Sequence, residues 1–525
     1  MDLIALPADA GFWSVIPPLL AIVLALVTKE VVFSLFLGVL SGIAIYACMA
    51  PLSLVDIPVA IASLTTRSIG DGEHLAVLVF AFFMGPMIAG MTRTGGAQAF
   101  GRWAGRTMRT SVSAKLSTVI FGLLFFVDDY FNCLTIGNVM RPVTDRFRIS
   151  REKLAYFTDA TAAPICVIAP VSTWAAYIVS LYGDNVAGAS AISTFLRAIP
   201  FNLYSILSIV AVFWFAIRSH ADFGPMAAAE ARAADGDPAG AASADMHDDA
   251  LDPAVVSPRG SVWDLAIPVI VLVGTGILYM LLLGGYWEGK GLTIVEAVGN
   301  TQPALAFATA SLLGLAAVFV LAIPRRVIGV RDFFACIPAG IRMMVASLIV
   351  LVLAWALADV CRSLLHVDDF IARLVKTGAD SGLLPLATLP AVLFLLASGI
   401  AFAMGTSWGT FAILIPIAIA VCAKVDPSLN ALVLSAILSG GVMGDHCSPI
   451  SDTTILSSTG AACRHIDHVR TQLPYALVVG AASFVGYLVA GATRSLPYGA
   501  SVLSTLAIGF ALLLCALVVL GRKNA

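Results

Sequence analysis

The sequence predicts an all-α, polytopic membrane protein. Hydrophobic residues make up 59% of its 525 positions, only 12% are charged, and the mean hydropathy is +0.96. Apolar runs of membrane-crossing length recur along the whole chain, and polar residues interrupt two of the longest.

Runs able to cross roughly 30 Å of hydrocarbon lie near residues 12–28, 31–50, 75–92, 159–182 and 200–218, and again near 262–284, 303–323, 336–360, 430–458, 471–493 and 501–521. That layout gives about eleven crossings. Met1 to Gly11 carries no basic start and no cleavage site, so the first run is expected to stay as a span. Two further stretches, 113–144 and 385–423, are broken in the middle by Asp128-Asp129 and by Gly405-Thr-Ser-Trp-Gly-Thr410. Each reads as a re-entrant helical hairpin, because non-helical backbone at membrane depth is tolerated only where protein or a watery cavity satisfies it.

Basic residues set the orientation. With Lys29 inside and both hairpins re-entrant, roughly 22 Lys and Arg fall inside and about 8 outside. The densest inside loops hold Arg93, Arg102, Arg106, Arg109 and Lys115, then Arg141, Arg146, Arg148, Arg151 and Lys153. The N-terminus is therefore expected outside and the C-terminus in the cytoplasm. Residues 219–260, rich in Ala, Asp and Gly, are expected to form a flexible cytoplasmic linker.

Residues 1–218 then hold five spans and one hairpin, and 261–495 hold the same set, with 496–525 as an extra span. An odd number of crossings turns the second copy upside down, so the expected plan is two inverted repeats. Laying Pro170-Val-Ser-Thr173 on Pro449-Ile-Ser-Asp452 also lays Asp128 on Ser407, aligning hairpin tip and broken helix in both halves. Such repeats bring discontinuous helices together near the midplane, where helix ends and freed carbonyls can hold a substrate and a coupling ion.

The net charge of −2 and the lack of a clustered basic surface exclude a nucleic-acid partner; membrane lipid is the expected surroundings. Nine cysteines without a CxxC pair, among them Cys133, Cys166, Cys336, Cys422 and Cys515 in apolar runs, read as small buried hydrophobes. No cofactor is expected.

The chemistry gathers in Asp445-His-Cys-Ser-Pro-Ile-Ser-Asp-Thr453 and Phe126-Val-Asp-Asp-Tyr-Phe-Asn132. Ionisable groups inside hydrocarbon usually face a cavity, an ion or a proton path. Pro449 removes an amide donor and exposes carbonyls between Ser448 and Asp452. Asp445, Ser448, Ser451, Asp452, Thr453 and Thr454 supply further oxygens, the donors that hard alkali cations prefer. A sodium ion is expected at Asp445, Asp452, Ser451 and Asp128. The wider candidate set is Asp129, Asn132, Ser172, Thr173, Thr406, Ser407, Ser448 and Thr453. The plain alternatives are helix caps for the carboxylates and back-bonded hydroxyls for Ser172 and Thr173. His446 is either a proton shuttle or a packed hydrogen-bonding partner, while His465 and His468 are expected to be solvated in a cytoplasmic loop.

The stretch Gly444 to Ser458, with Phe126 to Asn132 and Pro170 to Trp174, closely resembles the NhaC family of Na⁺/H⁺ antiporters. That resemblance implies a wider ion-transporter group with inverted repeats, paired hairpins and an elevator-type transport domain sliding against a scaffold, and by analogy a homodimer. Relatives often carry Ser-Asn-Thr where this chain has Ser451-Asp-Thr453, so a charge stands in place of an amide. The expected function is export of Na⁺ in exchange for H⁺ across a bacterial inner membrane. The family also includes malate/lactate exchange and amino-acid uptake, so coupled transport of a small organic acid or amino acid is the alternative. Gly405-Thr-Ser-Trp-Gly409 fits the Gly-x-Ser-x-Gly string of a nucleophile elbow, but that motif needs a strand-turn-helix setting, and here it interrupts a helical stretch. A transporter, not an enzyme, is expected.

Overall fold

A computed structural model of the chain describes residues 10–522, apart from 29, 50–57, 60, 64–65, 67–69, 71, 183–189, 219–220, 240–255, 290, 295–296, 298–299, 368, 371–372, 374–376, 378–384 and 450. The described residues form helices joined by turns. In the first half these are α1 (Ile16–Thr28), α2 (Val31–Met49), α3 (Gly72–Thr94) and a short amphipathic α4 (Gly96–Thr107) on which Arg102 and Arg106 are exposed. A helical hairpin follows, α5 (Ser111–Leu124) and α6 (Asp129–Arg146), then a helix broken into α7 (Arg151–Cys166) and α8 (Thr173–Ser180). The half closes with α9 (Ala191–Ala198), bent by 45° onto α10 (Leu203–Ile217).

The same order recurs after α11 (Pro225–Ala234). Three long helices, α12 (Trp263–Leu283), α13 (Pro303–Ala322) and α14 (Val330–Asp359), precede a second hairpin, α15 (Leu389–Met404) and α16 (Ser407–Val425). A second broken helix comprises α17 (Asn430–Cys447) and α18 (Asp452–Gly460), and α19 (His465–Ala492) and α20 (Tyr498–Arg522) complete the chain. Among the described residues eight helices are long and apolar enough to cross a membrane, or nine with the bent α9–α10 pair counted as one. The protein is a multi-pass, all-α membrane protein. The count falls below the roughly eleven spans read from hydropathy partly because α1 is short and the 159–182 run is divided between α7 and α8.

Its outer face is greasy. Ile270 on α12, Val320 on α13 and Leu503 on α20 are 62%, 65% and 70% exposed, which water would penalise and lipid does not. Cys133, Cys166, Cys336 and Cys422 are buried as their runs suggest, whereas Cys515 is exposed on α20.

Small residues bring the helix backbones together. A Cβ on Gly85 of α3 would lie 2.3 Å from the Gly340 carbonyl oxygen of α14, and one on Gly440 of α17 would lie 2.3 Å from the Phe394 carbonyl oxygen of α15. Both crossings require glycine. Serine and threonine start the broken pieces: Thr110 and Ser113 form a reciprocal capping box on α5, and Ser150, Ser172 and Ser451 cap α7, α8 and α18.

The 219–260 segment is not a free linker throughout. Gly224, at φ 62°, turns the chain into Pro225, and α11 buries Met226, Ala229 and Ala233. Glu230 accepts from the Ser150 amide at 2.9 Å and pairs with Lys115 at 3.1 Å, while Arg232 donates to both Glu152 oxygens at 2.8 Å. Upstream, the buried Asp222 pairs with Lys153 and accepts from Tyr475. Its composition cannot build a core of its own, but salt bridges and small-residue packing dock it on α7. Residues 240–255 lie outside the described set.

Candidate functional site

Both hairpin tips and the first helix break meet at one place. The α5–α6 tip, Phe125 to Asp128, is fastened from two directions: the Thr173 amide donates to the Val127 carbonyl at 3.0 Å, and the Asn132 side-chain amide donates to Gly122 (2.8 Å) and Thr161 (3.1 Å) carbonyls. The Asp128 carbonyl accepts the first helical bond of α6 from Asn132, so Asp128 and Asp129 sit at the positive end of that helix, where a negative charge is favoured. They are 3% and 2% exposed. Thr173, first residue of α8, donates its hydroxyl to Asp128 Oδ2 at 3.2 Å.

The second tip turns at Gly405, whose φ of 69° is left-handed and favours glycine. Its next residues reach the same region. Tyr177 of α8 donates its hydroxyl to the Trp408 carbonyl at 2.6 Å and lies against the Trp408 ring at 4.1 Å. Ser407 donates to Asp445 Oδ2 at 2.9 Å, linking the tip to the end of α17. The Asp129 carboxylate lies within electrostatic range of both Asp128 and Asp445.

A small cavity of about 30 Å³ opens among Asp128, Asp129, Thr173, Tyr177 and Trp408, walled on its far side by apolar side chains of α3 and α14. It has room for one or two water-sized particles. Asp129 Oδ2 and Asn132 Oδ1 are buried acceptors without a donor; the Trp174 indole lies beside Asp129 but does not reach hydrogen-bonding geometry. Unsatisfied acceptors in a buried site suit a cation. Among the described residues no three carboxylate, imidazole or thiol groups converge tightly enough to hold one ion between them, so hydroxyl and carbonyl oxygens would complete its shell.

The remaining candidates divide by occupation. The Ser172 hydroxyl caps α8 and donates to the Cys166 and Ala169 carbonyls, stitching the break closed. Ser451 caps α18 and lies 3.1 Å from the Thr453 hydroxyl. Ser448 is buried in the second break, which runs from 448 to 451 around Pro449. Thr406 is half-buried, its carbonyl accepting from Thr410. Asp452 begins α18, but its side chain lies outside the described residues.

A second buried cluster was not foreseen. Asp159 of α7, fully buried, accepts from Gln472 at 2.6 Å and from the Thr454 hydroxyl at 3.4 Å, with His468 Nε2 at 3.3 Å and His446 Nε2 at 3.9 Å. Tyr204 contacts the other His446 ring nitrogen at 3.1 Å. His468 is thus buried inside α19, not solvated in a loop, and His446 is a packed partner held from two sides. The usable signal was Asp159 itself, an ionisable residue at the start of an apolar run. His465, half-buried, contacts the Pro449 carbonyl at 2.6 Å.

The Na⁺/H⁺ antiporter family model matches residues 165–492, which include the first break, the second hairpin and the second break. The chain belongs to the Na⁺/H⁺ antiporter family. The NhaC-type resemblance carried by the motifs is thereby borne out. A family relative from Haemophilus influenzae, described as an uncharacterized protein, is 36% identical over 498 residues, 93% of this chain and 92% of its own length. The arginine/ornithine antiporter ArcD of Halobacterium salinarum is 36% identical over 132 residues, 23% of this chain and 27% of its own. Among solved structures, the YdaH transporter of Alcanivorax borkumensis aligns with TM-score 0.46 at 12% identity, covering 83% of this chain and 89% of that one. MtrF of Neisseria gonorrhoeae, titled as representing a class of antimetabolite efflux pumps, aligns with TM-score 0.44 at 13% identity over 83% and 84%.

The Gly405–Gly409 string joins two helices through a left-handed glycine. The strand that a nucleophile elbow requires is missing there, and the Ser407 hydroxyl is turned to Asp445.

Proposed function

We propose that this family member is a secondary transporter that exchanges Na⁺ for H⁺, moving sodium out of the cell as protons enter. The observation that supports it is the 30 Å³ cavity beside Asp128, Asp129 and Thr173, sized for a bare or nearly bare alkali ion and edged by Asp129, whose Oδ2 lacks a donor. Asp128, Asp129 and Asp445 are the titrating groups. Burial favours the protonated carboxyl and a bound cation favours the carboxylate, so one site can hold either a proton or a sodium ion, and that competition is sufficient for antiport. Thr173, Ser407, Ser448, Ser451 and Thr453 supply neutral oxygens, with Asp452 completing the set. Asn132 and Ser172 keep the tip and the break in register.

The repeated element order supports two inverted copies, 1–218 and 261–495, meeting at mid-bilayer, with the hairpins and broken helices as the moving part of an elevator. The basic loops support an inner-membrane placement with the C-terminus in the cytoplasm. A homodimer goes with the elevator reading.

One observation favours a second reading. The Halobacterium relative is named an arginine/ornithine antiporter, which brings a cationic amino acid in as the alternative cargo. Everted vesicles separate the two: with a pH gradient imposed, addition of NaCl alone is expected to dissipate it. Dissipation only when an organic acid or amino acid is supplied would replace the sodium reading with the second.

A further inference from the structure

At another end of the bundle α9, the start of α17 and the α19–α20 turn line a larger cavity of about 220 Å³, open to the surface at Arg197 and Tyr498. Two guanidiniums, Arg197 and Arg494, line it. Among the described residues neither pairs with a carboxylate: Arg197 stacks over the Tyr498 ring at 5.3 Å, and Arg494 donates to the Gly491 carbonyl at 3.2 Å. The stacking is itself fixed, because the Tyr498 hydroxyl donates to the Arg197 carbonyl at 2.9 Å. The first turn of α17, Asn430 to Leu432, forms another wall; it is entered directly from a 3-10 turn, Pro427–Leu429, whose start the Asp426 carboxylate caps. Asn430 is 5% exposed, and its side-chain oxygen has no donor. The nearest acid in the chain, Asp426, does not line the cavity and is turned back onto the Ser428 amide and hydroxyl.

Two forked cations face one cavity that no carboxylate lines among the described residues, which leaves them without a counter-charge there. We propose that this cavity binds an oxyanion, a phosphate or carboxylate group gripped between Arg197 and Arg494. Its volume is below the roughly 300 Å³ of drug-sized pockets, which limits the occupant to a small soluble anion or the headgroup of an acidic lipid. Position allows either. From Tyr498, α20 runs 25 residues, roughly 37 Å at 1.5 Å per residue, to Gly521 beside Ala221 and the α11 segment, so cavity and α11 lie at opposite ends of the bundle. The site is therefore at a membrane boundary, and it is separate from the cavity at Asp128. It stands whether or not sodium is the transported ion.

The test is thermal unfolding of the full-length protein in detergent, in two arms. The first adds sodium phosphate or sodium succinate against NaCl at equal ionic strength; the second dopes the micelles with dioleoylphosphatidylglycerol against dioleoylphosphatidylcholine. A rise of a few degrees in the unfolding midpoint is expected in at least one arm; a rise in the first arm alone assigns a soluble anion, and in the second alone a headgroup. The rise is expected to vanish in Arg197→Gln/Arg494→Gln. Because Arg494 also holds a helix-end carbonyl, Arg197→Gln alone is measured beside it and should lose at least half of the rise. No rise in either arm, or a rise of undiminished size in both variants, overturns the proposal.

Discussion

Ser407 Oγ donates to Asp445 Oδ2 at 2.9 Å, joining the tip of the second hairpin to the last turn of α17. The bond orients a buried carboxylate from a residue that begins another helix, so hairpin position and carboxylate geometry are linked. Ser407→Ala removes a hydrogen bond to a group that is charged in the sodium-bound state, worth about 1.5–3 kcal/mol. The expected result is a rise of about one to two orders of magnitude in the Na⁺ concentration for half-maximal exchange, with normal membrane insertion. Sodium titration of vesicle exchange measures it.

Asn132 holds three backbone carbonyls with one amide group, those of Gly122, Phe125 and Thr161. Asn132→Ala leaves them buried without that donor, at a cost of about 1–3 kcal/mol for each group that finds no other partner. A fall in unfolding midpoint, together with weakened exchange, is expected in a thermal-shift assay on purified protein. An unchanged midpoint would remove the anchoring role.

Gly405 adopts φ 69° between α15 and α16. Gly405→Ala forces an L-residue into the left-handed region, costing about 1–2 kcal/mol. The variant should express and insert but unfold at lower temperature, and its exchange should slow because the tip is displaced relative to Asp445. Alanine at Gly399, where an added Cβ meets nothing within 4 Å, is the matched control and should leave both readings near wild type.

Glu230, on α11 outside the membrane-crossing helices, is desolvated by burial, which alone would raise its pKa. Lys153, Lys115 and the Ser150 hydrogen bonds outweigh that and hold it below its ordinary 4.5. A depressed carboxyl stabilises the docked state in full above the unfolded value and loses that contribution as pH falls through the folded one. Docking of α11 should therefore be insensitive to pH above about 5 and weaken below 4.5, while Glu230→Gln weakens it at neutral pH and flattens the dependence. Amide exchange over 225–234 reads this directly.

The hairpins and the second break were legible because polar or proline residues interrupt apolar runs, and the bilayer penalises such interruptions unless they are used. Asp128 with Thr173, and Ser407 with Asp445, were picked out individually for that reason, although their pairing depends on tertiary placement. The Asp159 cluster was not read, because its partners Thr454 and Gln472 lie about 300 residues away and only tertiary packing brings them to α7. The docking of α11 was hidden for a different reason. Its Ala-rich composition offers little apolar area, and its anchors, Glu230 and Arg232, reach across the sequence to Lys115 on α5 and Glu152 on α7.

The most direct measurement is uptake of radioactive Na⁺ into proteoliposomes under an imposed pH gradient, wild type against Asp445→Asn and Asp128→Asn. Wild-type protein is expected to accumulate Na⁺ while the gradient lasts, and each variant to lose that uptake while still reconstituting as folded protein. Undiminished gradient-driven uptake by both variants would contradict a shared cation and proton site at these carboxylates.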